Sequence, residues 1–235
     1  MISIENLTKT YNGVCVLNIP SLAIPRGQCF GLVGNNGAGK TTLFSLLLDL
    51  ISPDSGNVIN NDVVVHECEA WKPFTSAFID ESFLIGYLTP EEYFYFIGEL
   101  RGRNKADVDA FLEPYHDFFN GELLNKKKYI RDLSKGNQKK AGIIAALIGK
   151  PELIILDEPF ANLDPTTQIR LKAIIKELAA GEVTILISSH DLIHTTEVCS
   201  RIVALDKGEI VKDIQTHPET LKELEAFFAG NMADA

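Results

Sequence analysis

The sequence predicts an α/β fold: a mainly parallel sheet covered by helices, with an N-terminal antiparallel β subdomain and an inserted α-helical subdomain. Three observations lead there. Residues 1 to about 75 hold short apolar, β-type runs punctuated by Asn12-Gly13, Pro25-Arg26-Gly27 and Ser52-Pro53-Asp54-Ser55-Gly56. Residues 89–149 turn to helical texture, and from Pro151 strand and helix patterns alternate. That βαβαβ rhythm marks parallel strands joined by crossover helices.

In chain order, β-type runs occupy 1–6, 28–33 and 62–65, interrupted by one helix over 39–50. Thr89-Pro90-Glu91-Glu92 places Thr at the N-cap, Pro at the first helical position and Glu at the third. This capping box starts a helix that runs to Arg101. Further helices are expected over 104–119 and 136–149. Strands follow at 153–156, 183–188 and 202–205, alternating with helices at 165–180 and 191–199. Only a short tail is expected beyond Leu205-Asp206-Lys207-Gly208. No repeat, low-complexity tract or Pro/Gly/Ser-rich linker divides the chain, so 1–235 reads as a single unit, with 1–88 and 151–235 forming the α/β core and 89–150 the helical insertion.

Composition narrows the function classes. With 235 residues, 46% hydrophobic and 23% charged, the chain can bury a sizeable core, which excludes disorder and fibrous repeats. The formal net charge of −10 disfavours a general nucleic-acid or anionic-lipid binder, either of which needs a basic field. Residues 126–140 are locally basic; Lys126–Lys128 read mainly as a solvated face, and Lys135 can add to a phosphate-binding field. No stretch resembles a signal peptide or reaches the ~18–20 apolar residues of a membrane span. The four cysteines form no CxxC pair and read as reduced thiols of a cytosolic fold.

Two motifs carry chemistry. Gly34-Asn35-Asn36-Gly37-Ala38-Gly39-Lys40-Thr41-Thr42 satisfies GxxxxGK[ST] between an apolar strand and an apolar helix, the mark of a P-loop NTPase core. Glycines let backbone N–H groups curl around phosphate oxygens, the helix N-terminus adds its positive dipole end, Lys40 reaches the β/γ-phosphates and Thr41 ligates Mg²⁺. The second motif, Leu153-Ile154-Ile155-Leu156-Asp157-Glu158-Pro159, is a buried strand ending in two carboxylates. Ligands bind at that end of strands in open α/β sheets. Asp157 suits Mg²⁺ held through water, and Glu158 suits a base that activates an attacking water.

Between these motifs lies Leu133-Ser134-Lys135-Gly136-Asn137-Gln138-Lys139-Lys140, similar to the LSGGQ signature of ABC transporter ATP-binding subunits, which the chain resembles over nearly its whole length. Ser134 and Gly136 offer a hydroxyl and an N–H to a γ-phosphate at a helix start. Ala161-Asn162-Leu163-Asp164 resembles the family's D-loop, His190 its switch histidine and Tyr11 the aromatic that stacks on adenine. The resemblance implies ATP and Mg²⁺ as cofactors and a head-to-tail sandwich of two subunits, identical or merely similar, around two ATP molecules. Each site would take its P-loop, Asp157, Glu158 and His190 from one chain and Ser134 and Gly136 from the other. It also implies a membrane-spanning permease partner and a cytoplasmic, peripheral location on the inner face of the cell membrane.

The sequence departs from the family pattern in two places. Asp80 stands where a Q-loop glutamine is usual, with Glu81 beside it; a carboxylate can still ligate Mg²⁺ but adds negative charge near the phosphates. Lys135 and Asn137 replace Gly and Gln in the signature, which reads as an exporter-subfamily mark. Nine of the twenty aromatics fall between Trp71 and Phe96. Too many for one helix face, they predict partial exposure where the resembled family receives a permease's coupling helix. An alternative assignment is a soluble ATP-driven clamp or regulator; such relatives usually carry two nucleotide domains or a long coiled coil, and neither is present.

Overall fold

The computed structural model describes residues 1–231. Four strands form an antiparallel sheet in the order β2-β1-β4-β5: β1 (Ile2–Tyr11), β2 (Val14–Ile24), β4 (Ser55–Asn60) and β5 (Val63–Val64). The second sheet has six strands in the order β10-β9-β3-β8-β7-β6: β3 (Cys29–Val33), β6 (Thr75–Phe78), β7 (Leu153–Asp157), β8 (Thr184–Ser189), β9 (Arg201–Asp206) and β10 (Glu209–Gln215). Its strands run parallel except β10, which pairs antiparallel at the edge. The helices are α1 (Lys40–Leu47), α2 (Pro90–Leu100), α3 (Lys105–Leu112), α4 (His116–Phe119), α5 (Lys135–Leu147), α6 (Pro165–Ala180), α7 (Leu192–Val198) and α8 (Thr220–Asn231).

Strands β3, β7 and β8 are buried at every residue, as central parallel strands covered on both faces must be. Their alternate side chains enter two cores. Phe30, Leu32, Ile155 and Leu186 face α1 and the antiparallel sheet. Cys29, Val33, Ile154 and Ile187 face the opposite side with Ile144 of α5 and Leu171 of α6. Helix α1 therefore lies between the two sheets, and the phosphate-loop sequence that precedes it is held from both sides.

Several elements differ from expectation. β2 went unread because Pro20 interrupts it; β2 is an edge strand paired only with β1, where a missing N–H is tolerated. β4 begins inside the segment read as a turn, at Ser55-Gly56. β6, only four residues long, takes its strand state from pairing with β7. The helix expected over 104–119 is broken into α3 and α4 by a 3₁₀ turn at Glu113–Tyr115, where Pro114 lacks an N–H donor. The stretch expected as a short tail after Gly208 carries β10 and α8. The capping box at Thr89 is present, with Thr89 Oγ1 accepting from Glu92 N and Glu92 accepting from Thr89 N.

Candidate functional site

Strands β3, β8 and β7 are neighbours in register, with Val33 opposite Ser189 and Asp157 opposite Ser188. The loops leaving their C-terminal ends therefore meet on one edge of the sheet. After β3 the chain enters the 34–39 loop. Gly34 is pressed so close to β9 that a Cβ would lie 2.3 Å from the Leu205 carbonyl oxygen. Gly39 enters α1 at φ +105°, with no side chain capping the helix. The first-turn amides of α1 thus keep their donors free of any side-chain acceptor, and the dipole makes them an anion site. Asn35, Asn36 and Gly37 form the exposed crest of the loop, while Ala38 is pinned below through its carbonyl to Gly208 N at 2.9 Å.

Lys40 folds back across this loop, donating to Gly34 O at 2.7 Å and Asn35 O at 3.2 Å. Its ammonium also lies 3.8 Å from Glu158 Oε1. Burial lowers the Lys40 pKa, and the Glu158 and Asp157 carboxylates work against that shift. Thr41 Oγ1 donates to Asp157 Oδ2 at 2.7 Å, and the other Asp157 oxygen accepts from Ser188 Oγ. Thr42, half-buried, continues the helix.

Glu158 sits at φ +47°, a left-handed conformation that costs a non-glycine residue about 1–3 kcal/mol. Both its peptide groups are clamped: its N–H donates to Ser188 O at 3.2 Å and Ser188 Oγ at 3.1 Å, and its carbonyl accepts from Lys139 Nζ at 2.7 Å. The side chain is thereby turned outward, with Oε2 2.9 Å from His190 Nδ1 and 3.5 Å from Ser189 Oγ. A cavity of about 540 Å³ opens beside it, lined by Thr41, Asp80, Glu81, Lys139, Asp157 and Glu158 among others. Asp80 caps a 3₁₀ turn, Oδ1 accepting from Ser82 N at 2.8 Å; the hydrogen bonds from Ser82 lower its pKa and favour the carboxylate.

The structure thus gathers Lys40, Thr41, Asp157, Glu158, His190 and Asp80. Other candidates lie elsewhere. Ser134 N-caps α5 by accepting from Asn137 N and lines a separate cavity with Lys126 and Lys128. Gly136 approaches the 161–164 segment so closely that a Cβ would lie 2.8 Å from Asn162 O. Asp164 N-caps α6 through Thr167, whose hydrogen bonds lower its pKa. Tyr11 ends β1, 46% exposed, with Lys9 Nζ 5.3 Å from its ring centroid, and it is not among the residues lining the cavity beside Glu158. Sequence reasoning missed Ser188 and Lys139. Ser188 belongs to no motif, and Lys139, although it lies in the signature-like 133–140 segment, is given no role by it; the one signal for its burial was its place one turn before the buried Gly142 and Ile143 of α5.

A strand–glycine loop–helix beside a parallel strand that ends in paired carboxylates defines a nucleotide-binding α/β cassette of the P-loop class. The family model described as ABC transporter matches residues 17–161, and the chain belongs to that family, among its ATP-binding proteins. It is 36% identical over 223 residues to the uncharacterized ABC transporter ATP-binding protein YhaQ of Bacillus subtilis, covering 90% of this chain and 70% of YhaQ. It is 33% identical over 220 residues to the bacitracin transport ATP-binding protein BcrA of Enterococcus faecalis, covering 91% and 69%. The fold matches a dimeric post-hydrolysis state of the ATP-binding cassette MJ0796 bound to ADP and Pi, with a TM-score of 0.83, 22% identity and coverage of 92% and 99%. Among the described residues no helix is long and apolar enough to cross a membrane.

Proposed function

We propose that this chain binds and hydrolyses ATP with Mg²⁺, pairs with an identical or similar subunit around two ATP molecules, and drives a separate membrane-spanning permease of exporter type. The observation that carries the reading is the unbroken set of contacts Thr41–Asp157 and Lys40–Glu158–His190 at the ends of adjacent parallel strands. The first-turn amides of α1 and Lys40 would hold the β/γ-phosphates, with Gly34 to Thr42 forming the cradle. Thr41, Asp157 and Asp80 fit Mg²⁺, a hard cation usually held by one or two carboxylates together with substrate phosphates. When bound, Mg²⁺ supplies positive charge to the phosphate oxygens.

In this reading Glu158 orients the attacking water and takes its proton, and His190, already on the Glu158 carboxylate, faces the γ-phosphate. Ser134, Gly136 and Asp164 act across the dimer interface, which accords with Ser134 lining a cavity separate from the one beside Glu158; Tyr11 takes the adenine.

The permease surface is proposed at the aromatic stretch. Phe83, Tyr87 and Leu100 are exposed by 62%, 72% and 67%, beside a groove of about 370 Å³ walled by Trp71, Tyr93 and Ile97. Transport of bacitracin by the system of the relative BcrA, and the Ser-Lys-Gly signature, favour an exporter. Attachment to the inner face of the cell membrane would then come from the permease.

The test is a Glu158→Gln variant captured from detergent-solubilised membranes in ATP. A polytopic membrane protein is expected with it, and wild type with its partner hydrolyses ATP in a Mg²⁺-dependent manner. Ribosomes or DNA in the capture, or no hydrolysis by wild type with its partner, would overturn the proposal.

A further inference from the structure

Lys139, 5% exposed, lines the cavity beside Glu158, and the 133–140 segment in which it lies gives it no role. A buried ammonium is costly unless paired, so its partners define its use. Three groups face it. The Glu158 carbonyl accepts from Nζ at 2.7 Å, Glu81 Oε1 lies 3.7 Å away, and the Phe78 ring centroid lies 6.0 Å away. The Glu81 side chain is itself only 12% exposed, so it too depends on this cation.

We propose that Lys139 is a positioning residue for ATP hydrolysis: its ammonium ties the Glu158 carbonyl to the Glu81 carboxylate, so that the Glu158 side chain is aimed only while the 79–83 segment is seated. The inference rests on the ATPase reading for its consequence, and on geometry alone for the tether.

Two features single out this lysine. Glu158 adopts a left-handed backbone that its surroundings must hold, and among the described residues Lys139 is the one side chain that donates to its carbonyl. Lys40 also lies near the Glu158 carboxylate, but phosphate would draw that cation away, leaving Lys139 as the cation beside Asp157, Glu158 and Glu81. The same ion pair reaches the segment carrying Asp80 and Phe83, both of which also line the aromatic groove. One buried charge thus spans the wall between the groove and the candidate base.

The experiment compares Lys139→Met, Lys139→Gln and Glu81→Gln in the full chain by ATPase kinetics, by equilibrium binding of a fluorescent ATP analogue and by amide hydrogen exchange without nucleotide. Lys139→Met is expected to lower kcat at least tenfold, about 1.4 kcal/mol, while analogue affinity stays within about threefold. Exchange should accelerate at 79–83 and 158–161, with β1 and β2 unchanged. Lys139→Gln, which retains a donor, should recover part of kcat, and Glu81→Gln should loosen 79–83 alone. A Lys139→Met kcat within twofold of wild type with unchanged exchange overturns the tether, as does a parallel loss of affinity, kcat and protection throughout the chain. If Lys139→Met does not fold, the other two variants decide by the same readings. An inactive wild type with the expected exchange pattern would defeat the ATPase reading and leave the tether standing; an active wild type without that pattern would do the reverse.

Discussion

Lys40 is held by two carbonyls of its own loop and by the Glu158 carboxylate, so its charge is prepared before any phosphate arrives. Charge-assisted hydrogen bonds of this kind contribute about 1.5–3 kcal/mol each. Lys40→Ala should therefore weaken ATP-analogue binding by roughly 10- to 100-fold, measured by equilibrium titration, while the circular dichroism spectrum is preserved. Asp80 offers a second test at this scale. If it stands in for the family glutamine, Asp80→Gln and Asp80→Ala will shift the Mg²⁺ concentration for half-maximal ATPase activity; unchanged profiles in both would remove Asp80 from the metal site. Its folded pKa is lowered by Ser82, so its capping contribution is present above the ordinary carboxylate value of about 4 and is lost as pH falls through the lowered folded value. Asp80→Asn should remove that segment of the acid-stability curve, read by thermal melts across pH 2–5.

At the scale of elements, the helices that carry the signature and the aromatic surface are joined to the parallel sheet by two tight arrangements. Arg101, at the end of α2, donates to the carbonyls of Lys72, Pro73 and Thr75 and to Ser76 Oγ, closing the edge strand β6 onto the helix. Arg101→Met leaves these acceptors without their cation and should destabilise the protein by about 2–4 kcal/mol, measured by denaturant unfolding. Gly142 of α5 faces Phe78 of β6, where a Cβ would fall 2.1 Å from the ring. Gly142→Ala should cost about 1–3 kcal/mol by overpacking, lowering the Tm, with the greatest loss of amide protection along β6.

The same elements show what a linear reading could reach. β3, β7 and β8 were legible as uninterrupted apolar runs, because strands covered on both faces need no alternation. β2 and β6 were not, since Pro20 is admissible only at an edge and four residues become a strand only beside an existing one. α8 lay in a stretch with no recognised motif, and it is packed on α7 rather than announced by local signals.

For the whole molecule, the division of labour between chains is the main issue. This chain's own cavity gathers Thr41, Asp157 and Glu158, while Ser134 opens onto another face. If a second chain completes the site, the Glu158→Gln variant with ATP will elute from size exclusion at about twice the 25.9 kDa of one chain, and ADP will return it to the monomer position. A Ser134→Ala substitution should weaken that dimer while leaving single-chain binding of an ATP analogue unchanged. A mixing experiment gives the sharper outcome: the signature variant and the Lys40→Ala variant together should recover part of the ATPase activity that each lacks alone.

Lys40, Thr41, Asp157 and Glu158, which the fold brings into contact in pairs, were legible as candidates from the sequence because the pattern that marks them is local. Glycine spacing, a lysine at the helix start and carboxylates at a strand end need only neighbouring residues to be recognised. What the tertiary structure decided is how those pieces are held: Ser188 on Asp157 across 31 residues, Lys139 on the Glu158 carbonyl across 19, and Arg101 on the β6 edge across 25. These are polar contacts without a period, made when distant segments of the chain pack together. Their partners are chosen by burial, because a donor shut away from water must find whichever acceptor the fold has placed within reach.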